Sequence, residues 1–336
     1  MHMNFSASTR FDIINETLKS DNNLLNISEL CKIAGVSRTG YYYWLNSQKI
    51  KLSKEEQDQL DFDLILTAFK HKGYDKGVRS IHMQLLHNSP SIIMNIKKIR
   101  RLMHKFNLKC PIRKANPYRK MAKAVQSNRC APNILNRAFK AYGARKVLLT
   151  DITYIPRSSH HKDGSLRYTY VSVIMDAYTK QILACVCSTS FEVDFVLDTI
   201  KQLMTNYGSE LRTDALIHSD QGCHYTSHKF TEIVKDYSLR QSMSRRGNCW
   251  DNAPQESLFG HMKSELKLLP SDAHYQIEQK VLDWIDYYNN DRYQWSLAKL
   301  SPNEYYTYTL TGEYPLDTTN NICNNITRGS APNPEV

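Results

Sequence analysis

The 336-residue sequence has no apolar run approaching 18 residues, and its start (MHMNFSASTRFDII) shows no basic stretch followed by an apolar one. Neither a membrane-spanning helix nor a secretory leader is expected, and the protein should stay in the cytosol. Its eight cysteines, Cys31, Cys110, Cys130, Cys185, Cys187, Cys223, Cys249 and Cys323, form no C-x-x-C pair. That speaks against a disulfide framework and a structural zinc site, and leaves reduced thiols as the expectation. The most telling absence is of negative charge. No Asp or Glu lies between Asp75 and Asp151, while 18 Lys and Arg do, twelve of them from Lys97 to Arg129.

What is present is therefore cationic and unevenly placed. Residues 1–145 hold 26 Lys and Arg against 10 Asp and Glu, a net of +16; residues 146–336 hold 18 against 23, a net of −5. A solvated basic face is normally interspersed with acids, because like charges repel. One sign kept up over 75 residues calls for a polyanion, and a phosphate backbone is the usual one. Pro90, Pro111, Pro117 and Pro132 interrupt any long amphipathic helix here, so a membrane surface fits less well.

The length suits two or three compact domains. Residues 1–55 read as a helix-turn-helix domain. In ISELCKIAGVSRTGYYYWL (27–45) an apolar-periodic helix ends at Gly35, and Ser37 can cap a second one. Leu30, Ile33, Ala34, Val36, Tyr41 and Leu45 would pack the pair, which puts Arg38, Thr39, Tyr42 and Tyr43 where a recognition helix meets DNA. The acid-rich LSKEEQDQLDFD (52–63) reads as a spacer. Residues 56–109 follow as a second helical, DNA-binding domain with helices over 78–86 and 92–106. In the latter, Ile92, Ile96, Ile99, Met103 and Phe106 make a buried stripe, and Lys97, Lys98, Arg100, Arg101 and Lys105 fill the polar side. Arg79 on the preceding helix joins them as a DNA-binding candidate. Residues 110–145, proline-bearing and weakly periodic, read as a basic linker in which Arg113, Lys114, Arg119 and Lys120 would follow phosphates.

From residue 146 the periodicity changes to that of strands, at 147–155, 168–175, 181–187, 215–219 and 239–242. Helices are expected at about 192–206 and 226–237, and another from Ala253–Pro254, where proline suits the first turn. The order βββαβαβα is that of a ribonuclease H-like mixed α/β sheet, expected over 146–270. A helix bearing WIDYYNNDR and a tail complete residues 271–336, the last 20 of them reading as disordered.

Three acids stand out by position. Asp151 interrupts the apolar strand VLLTDITYI, which costs several kcal/mol unless a cation or hydrogen bonds compensate it. Asp220 ends the strand ALIHS, and Glu256 falls in the first turn of a helix after a glycine-containing loop, with 35 residues between the two. Three carboxylates so placed suit two Mg²⁺ ions about 4 Å apart, which activate an attacking oxygen and stabilise a leaving one in phosphodiester cleavage. Singly, each has a plainer reading: Asp151 as a salt-bridge partner, Asp176 as a hairpin-turn residue, Asp251 as a helix cap, and Glu265 as a solvated helix position.

The blocks LLTDITYI, IHSDQGCHYTS and SMSRRGNCWDNAPQESLFGHMKSE, with GYDKGVRSI and YYNNDRYQWSLAKLSPNEYY, resemble the OrfB-type DDE transposases of the bacterial insertion-sequence-three family. Their core is shared with retroviral integrases, and the likeness spans over 80% of the chain. The resemblance implies a metal-binding triad of Asp151, Asp220 and Glu256, with Lys263 as a catalytic phosphate-reaching residue on the face of Glu256. Gly247, Asn248, Asp251, Asn252 and Ala253 match the loop before the glutamate, and Gln221, Gly222, Tyr225 and Ser227 the turn after the second aspartate. Arg245 and Arg246 join the DNA-binding candidates. Two Mg²⁺ ions are implied, with Mn²⁺ able to substitute, acting on double-stranded DNA: the element's terminal inverted repeats and a target. Self-association on DNA, a small OrfA partner protein and a cytoplasmic, nucleoid-associated location are implied as well. His224 stands where glutamine is common and Gln294 where histidine is, and the integrase-type His/Cys zinc module has no counterpart. The activity implied is 3′-end cleavage and strand transfer. A metal-dependent nuclease without strand transfer, or a DNA-binding regulator with an inactive core, are the alternatives.

Overall fold

The structure, a computed structural model, describes residues 5–111, 133–135, 141–160, 166–245, 252–269 and 271–316. The chain falls into two compact units, one of residues 1–67 with 100–108, the other of residues 68–99 with 109–336.

The first unit is helical: α1 (Ala7–Lys19), α2 (Ile27–Ile33), α3 (Arg38–Lys70) and most of α5 (Ile96–Lys105). Asn26 and Glu29 close a capping box over the start of α2, and Gly35 at φ +65° ends it. Ser37 Oγ accepts the Gly40 N–H at 3.0 Å and opens α3, as its sequence suggests. Ile14, Leu30, Cys31, Tyr41 and Trp44 form the core, with Ala34, Val36 and Leu45 against it. Ile33 does not join them: it is 74% exposed, on the outer side of a helix only two turns long.

The acid-rich stretch 52–63 is no spacer. It lies inside α3, which crosses residue 55 unbroken and runs for 33 residues, since nothing from Tyr41 to Lys70 is Gly or Pro. Its acids have a structural use. Asp58 is buried and accepts two bonds from the Arg101 guanidinium, at 2.6 and 2.7 Å, and one from Lys105 Nζ at 2.9 Å. Helix α5 begins at Ile96 rather than Ile92, because Asn95 Oδ1 takes the Lys97 N–H at 2.8 Å and caps it there.

The second unit opens with α4 (Val78–Leu86), where the sequence places it, and is organised by a five-stranded sheet. Its strands are β1 (Val147–His160), β2 (Leu166–Asp176), β3 (Ile182–Ser188), β4 (Leu216–Ser219) and β5 (Arg240–Met243), in the order β3-β2-β1-β4-β5. β1, β2 and β3 are antiparallel, and β4 and β5 run parallel to β1. This is the mixed, ribonuclease H-like sheet expected from the element order, with a β1–β2 hairpin longer than the apolar run alone suggests. Alternation divides its side chains. Val147, Leu149, Ile155, Val171 and Val173 pack against α8 (Ala253–Glu265) and α9 (His274–Asn290). Leu148 and Ile174 pack against α6 (Asp194–Tyr207) and α7 (His228–Asp236).

Three sequence readings change here. Leu135, inside the expected linker, is fully buried in the sheet core, and the Ile134 N–H donates to Ser242 Oγ at 3.0 Å. Glu265 is not solvated. It is buried, accepts Trp284 Nε1 at 3.0 Å, and pairs with the Arg292 guanidinium at 2.8 Å, tying α8 to α9 and the loop beyond. The C-terminal part holds a further helix, α10 (Pro302–Thr311), opened by a Ser301–Glu304 capping box. Asp176 keeps its turn role: fully buried, it accepts the N–H groups of Tyr178, Thr179 and Arg145. The expected tail over 317–336 lies outside the described residues.

Candidate active site

Strand register brings the first two acids together. β1 pairs with β4 in parallel, Leu149 opposite His218, so Asp151 and Asp220 each lie two residues further along adjacent strands. Both follow the parity of Leu149, which faces α8. Beyond β4 the chain turns sharply at Gly222. A Cβ there would fall 2.9 Å from Asp220 Oδ1, so only glycine lets its own N–H donate to that oxygen at 2.9 Å. Gln221 Nε2 ties the turn to Ser244 O at 3.0 Å, and Ser227 caps α7.

The third acid comes from α8, which starts after Asn252 with Pro254 in its first turn, as expected. Its placement is fixed by a residue that sequence reasoning passed over. Gln255 is fully buried, and its Nε2 donates to Leu149 O at 2.7 Å and, more weakly, to Val173 O at 3.4 Å. Val173 is the cross-strand partner of Asp151. The carboxamide therefore fastens the turn that carries Glu256 to the strands around Asp151. Seven residues on, the Lys263 ammonium stands 4.9 Å from the centre of the Tyr154 ring.

The electrostatics of the three acids are coupled. Burial pushes the Asp151 carboxyl up to about 8, and the nearby Asp220 and Glu256 add to the rise, while the Ile152 N–H and Lys263 oppose it. Burial also raises Asp220, against the Gly222 N–H and His224. Oδ1 of each aspartate accepts a backbone N–H, that of Ile152 at 2.8 Å and that of Gly222 at 2.9 Å, and no hydrogen bond to Oδ2 of either is made among the described residues. Two hard oxygen donors are thus left open where negative charge is already costly, which is what a divalent cation relieves. Among the described residues no three of His, Cys, Asp and Glu converge tightly enough to grip one ion. Asp151 and Asp220 are positioned by adjacent strands and Glu256 by the first turn of α8.

His218 is a second residue the sequence reading did not single out. Wholly buried, its ring nitrogens lie 2.9 Å from Ser242 Oγ and 3.1 Å from Ser244 Oγ, which locks β4 to the end of β5 beneath Asp220. Polar residues at alternate positions, His218 with Asp220 and Ser242 with Ser244, were the available signal. Tyr225, buried on the other sheet face, has its phenol raised by burial and then by Asp151 and Asp220.

The DNA-binding candidates divide. Arg38, Thr39, Tyr42 and Tyr43 are all exposed on the first turns of α3, with the Arg38 guanidinium 5.8 Å from the Tyr42 ring centre. Lys97 and Arg100 are exposed and Lys98 half-buried on α5, and Arg79 is exposed beside the Trp295 ring. Arg101 and Lys105 are committed to Asp58, and Lys105 also to Glu55, so the all-basic face expected for α5 is partly an internal ion-pair surface. Arg245 is exposed at the end of β5. Arg113, Lys114, Arg119, Lys120 and Arg246, with Gly247, Asn248 and Asp251 of the loop before Glu256, lie outside the described residues.

Comparison with known proteins shows the family to which the chain is similar. The family described as Integrase core domain matches residues 141–249, a second one of the same description matches 237–302, and an HTH-like domain matches 55–116. The InsK protein of insertion sequence element IS150 from Escherichia coli K12 is 30% identical over 84% of this chain and 94% of its own length. The transposase for insertion sequence element IS904 from Lactococcus lactis is 33% identical over 75% of this chain and 95% of its own. Among solved structures, the HTLV-2 integrase catalytic core domain in complex with magnesium covers 50% of this chain and 99% of its own, at 13% identity and a TM-score of 0.38. No helix among the described residues is long and apolar enough to cross a membrane.

Proposed function

The chain belongs to the OrfB-type DDE transposases of the insertion-sequence-three family, and from that premise we propose that Asp151, Asp220 and Glu256 are the metal-binding triad of a centre that cuts and joins DNA strands. The observation that carries this reading is the Asp151–Asp220 pair: Asp151 in β1 and Asp220 just past the end of the parallel β4, each with one oxygen that accepts no hydrogen bond among the described residues, and with Asp151 raised to about 8. Two bound Mg²⁺ ions, or Mn²⁺ in their place, would supply activation of the attacking oxygen and stabilisation of the leaving one.

The chain's own residues do the rest. Asp151, whose carboxyl feels both other acids, would hold the ions together with Asp220 and Glu256. Gln255 sets the approach of Glu256. Lys263, steadied over Tyr154, meets a non-bridging phosphate oxygen and offsets the charge that grows as a water or a DNA 3′-hydroxyl attacks the phosphorus. The P–O3′ bond breaks in line with the attack, and no covalent link to the protein forms. Arg38, Thr39, Tyr42 and Tyr43 of α3 read the terminal repeat, and Lys97, Lys98, Arg100 and Arg79 grip phosphates.

Mg²⁺-dependent nicking and joining of terminal-repeat DNA by the wild type and Glu256→Gln tests the assignment. The wild type should cut and join, and the variant should bind DNA but do neither. Equal activity in both proteins would overturn the triad, and cutting without joining would make the protein a nuclease.

A further inference from the structure

The site's flank carries a feature that the cutting chemistry does not use. Four aromatic rings run in unbroken contact from the β1–β2 hairpin to the segment between β3 and α6. Tyr154 meets Tyr168 edge-on at 5.3 Å, Tyr168 meets Tyr170 at 6.2 Å, and Tyr170 meets Phe191 at 4.7 Å. The register explains the first three: Tyr154 stands opposite Tyr170, and Pro156 opposite Tyr168, so the tyrosines share one side of the β1–β2 hairpin. Phe191, between β3 and α6, extends the row. Both of its ends touch the site. Tyr154 lies three residues past Asp151 under the Lys263 ammonium, and Phe191 packs at 4.3 Å on His224, four residues past Asp220, whose Nε2 lies 2.8 Å from Phe191 O.

Cross-strand ring pairs stabilise hairpins by themselves. That does not account for the ends of this row, where Tyr154 is 57% and Phe191 49% exposed. Open ring faces attract other π-faces, and the charge around them narrows the choice. Lys263 caps one end, so the occupant combines flat apolar faces with negative charge. A duplex offers phosphates but hides its base faces, whereas an unpaired strand offers both.

We propose that Tyr154, Tyr168, Tyr170 and Phe191 form a stacking platform for unpaired nucleobases next to the phosphate that is cut or joined. It rests on the reading of Asp151, Asp220 and Glu256 as the cutting centre. The strand end lies along the row with its phosphates toward Lys263 and the carboxylates. Because every base has a π-face, the platform holds a strand end irrespective of sequence, while α3 reads the repeat.

The test uses the full chain and terminal-repeat DNA whose last nucleotides are unpaired and carry 2-aminopurine. Stacking quenches that fluorophore, so wild-type protein should dim it. Tyr154→Ala and Phe191→Ala should restore its brightness and weaken binding of the frayed DNA roughly tenfold, with less than a twofold change on a fully paired duplex. Tyr154→Phe should keep the quench. A quench that survives both alanine variants, or equal weakening on frayed and paired DNA, would overturn the platform. Should the alanine variants fail to fold, photocrosslinking of 5-iodouracil in the unpaired end to wild-type protein decides: adducts at Tyr154, Tyr168, Tyr170 or Phe191 support the proposal. Adducts only elsewhere, or burial of the row between two copies of the chain, refute it. Glu256→Gln separates the two readings. Full cutting by that variant would sink the active-site assignment, whereas a dead variant with no ring-dependent quench would sink the platform alone.

Discussion

Asp58 in the helical unit and Asp151 in the catalytic unit both lie among protein atoms, yet their charges are handled in opposite ways. Around Asp58 the chain supplies its own cations: hydrogen bonds from Arg101, then Lys105, hold its carboxyl well below the ordinary range. Around Asp151 it supplies more acid, and burial together with Asp220 and Glu256 drives the carboxyl up to about 8. A structural acid carries its counter-ions in the sequence. On the reading proposed above, Asp151 is left short of positive charge that a bound divalent cation would supply.

The sharpest way to break that contrast is to neutralise each acid. Asp151→Asn should lower Mg²⁺-dependent nicking by about a thousandfold or more, as expected when an interaction made mainly in the transition state is removed. Asp58→Asn should leave the rate within about threefold once DNA is saturating. Comparable losses in both would mean that the two acids are not different in kind.

Stability against pH should separate them next, measured by thermal melting of metal-free protein. The folded-state value of Asp151 is raised, so the folded chain holds a proton that the unfolded chain has lost. Stability from this group is greatest in acid and declines as pH rises from about 4 to about 8. Asp151→Asn should therefore melt roughly 5 °C higher than wild type at pH 8 and no differently at pH 4. Asp58 has the opposite sign. Its lowered value contributes stability that is present above the ordinary carboxylate range and lost as pH falls below it, so Asp58→Asn should melt lower at pH 7, with the difference fading in acid. Parallel curves for the two variants would refute the comparison.

A smaller effect sharpens it at Gln255. Gln255→Leu should raise the Mg²⁺ concentration needed for half-maximal nicking by roughly tenfold, the scale seen when groups that orient metal ligands are removed. If only the melting temperature falls and the Mg²⁺ midpoint holds, Gln255 is packing and no more. The smallest change concerns the salt dependence of DNA binding. Lys97→Ala should flatten the slope by about one for a lost phosphate contact, while Arg101→Ala should leave it and lower stability instead, because its guanidinium is occupied by Asp58.

Much of this was legible in the sequence where period and chemistry agreed. Asp151 inside an apolar strand, Asp220 at a strand end and Glu256 after Pro254 announced a sheet that positions carboxylates, and Gly35 with Ser37 announced the helix-turn-helix. Polar residues expected in solvent but buried account for two of the differences. Residues 52–63 read as a spacer because they are acidic, yet their Asp58 is the buried partner of α5. Glu265 read as solvated, yet Arg292 and Trp284 are brought to it from α9 and the loop beyond, a pairing across some twenty residues that no local pattern reveals. Gln255 escaped for the same reason, since the carbonyls it meets belong to strands about 80 and 105 residues away.

Counting bound Mn²⁺ by its paramagnetic resonance, on full-length protein with terminal-repeat DNA at pH 8, tests the central claim most directly. Wild type and Asp58→Asn should each bind about two ions per chain, and Asp151→Asn at least one fewer. An unchanged count in Asp151→Asn would contradict it.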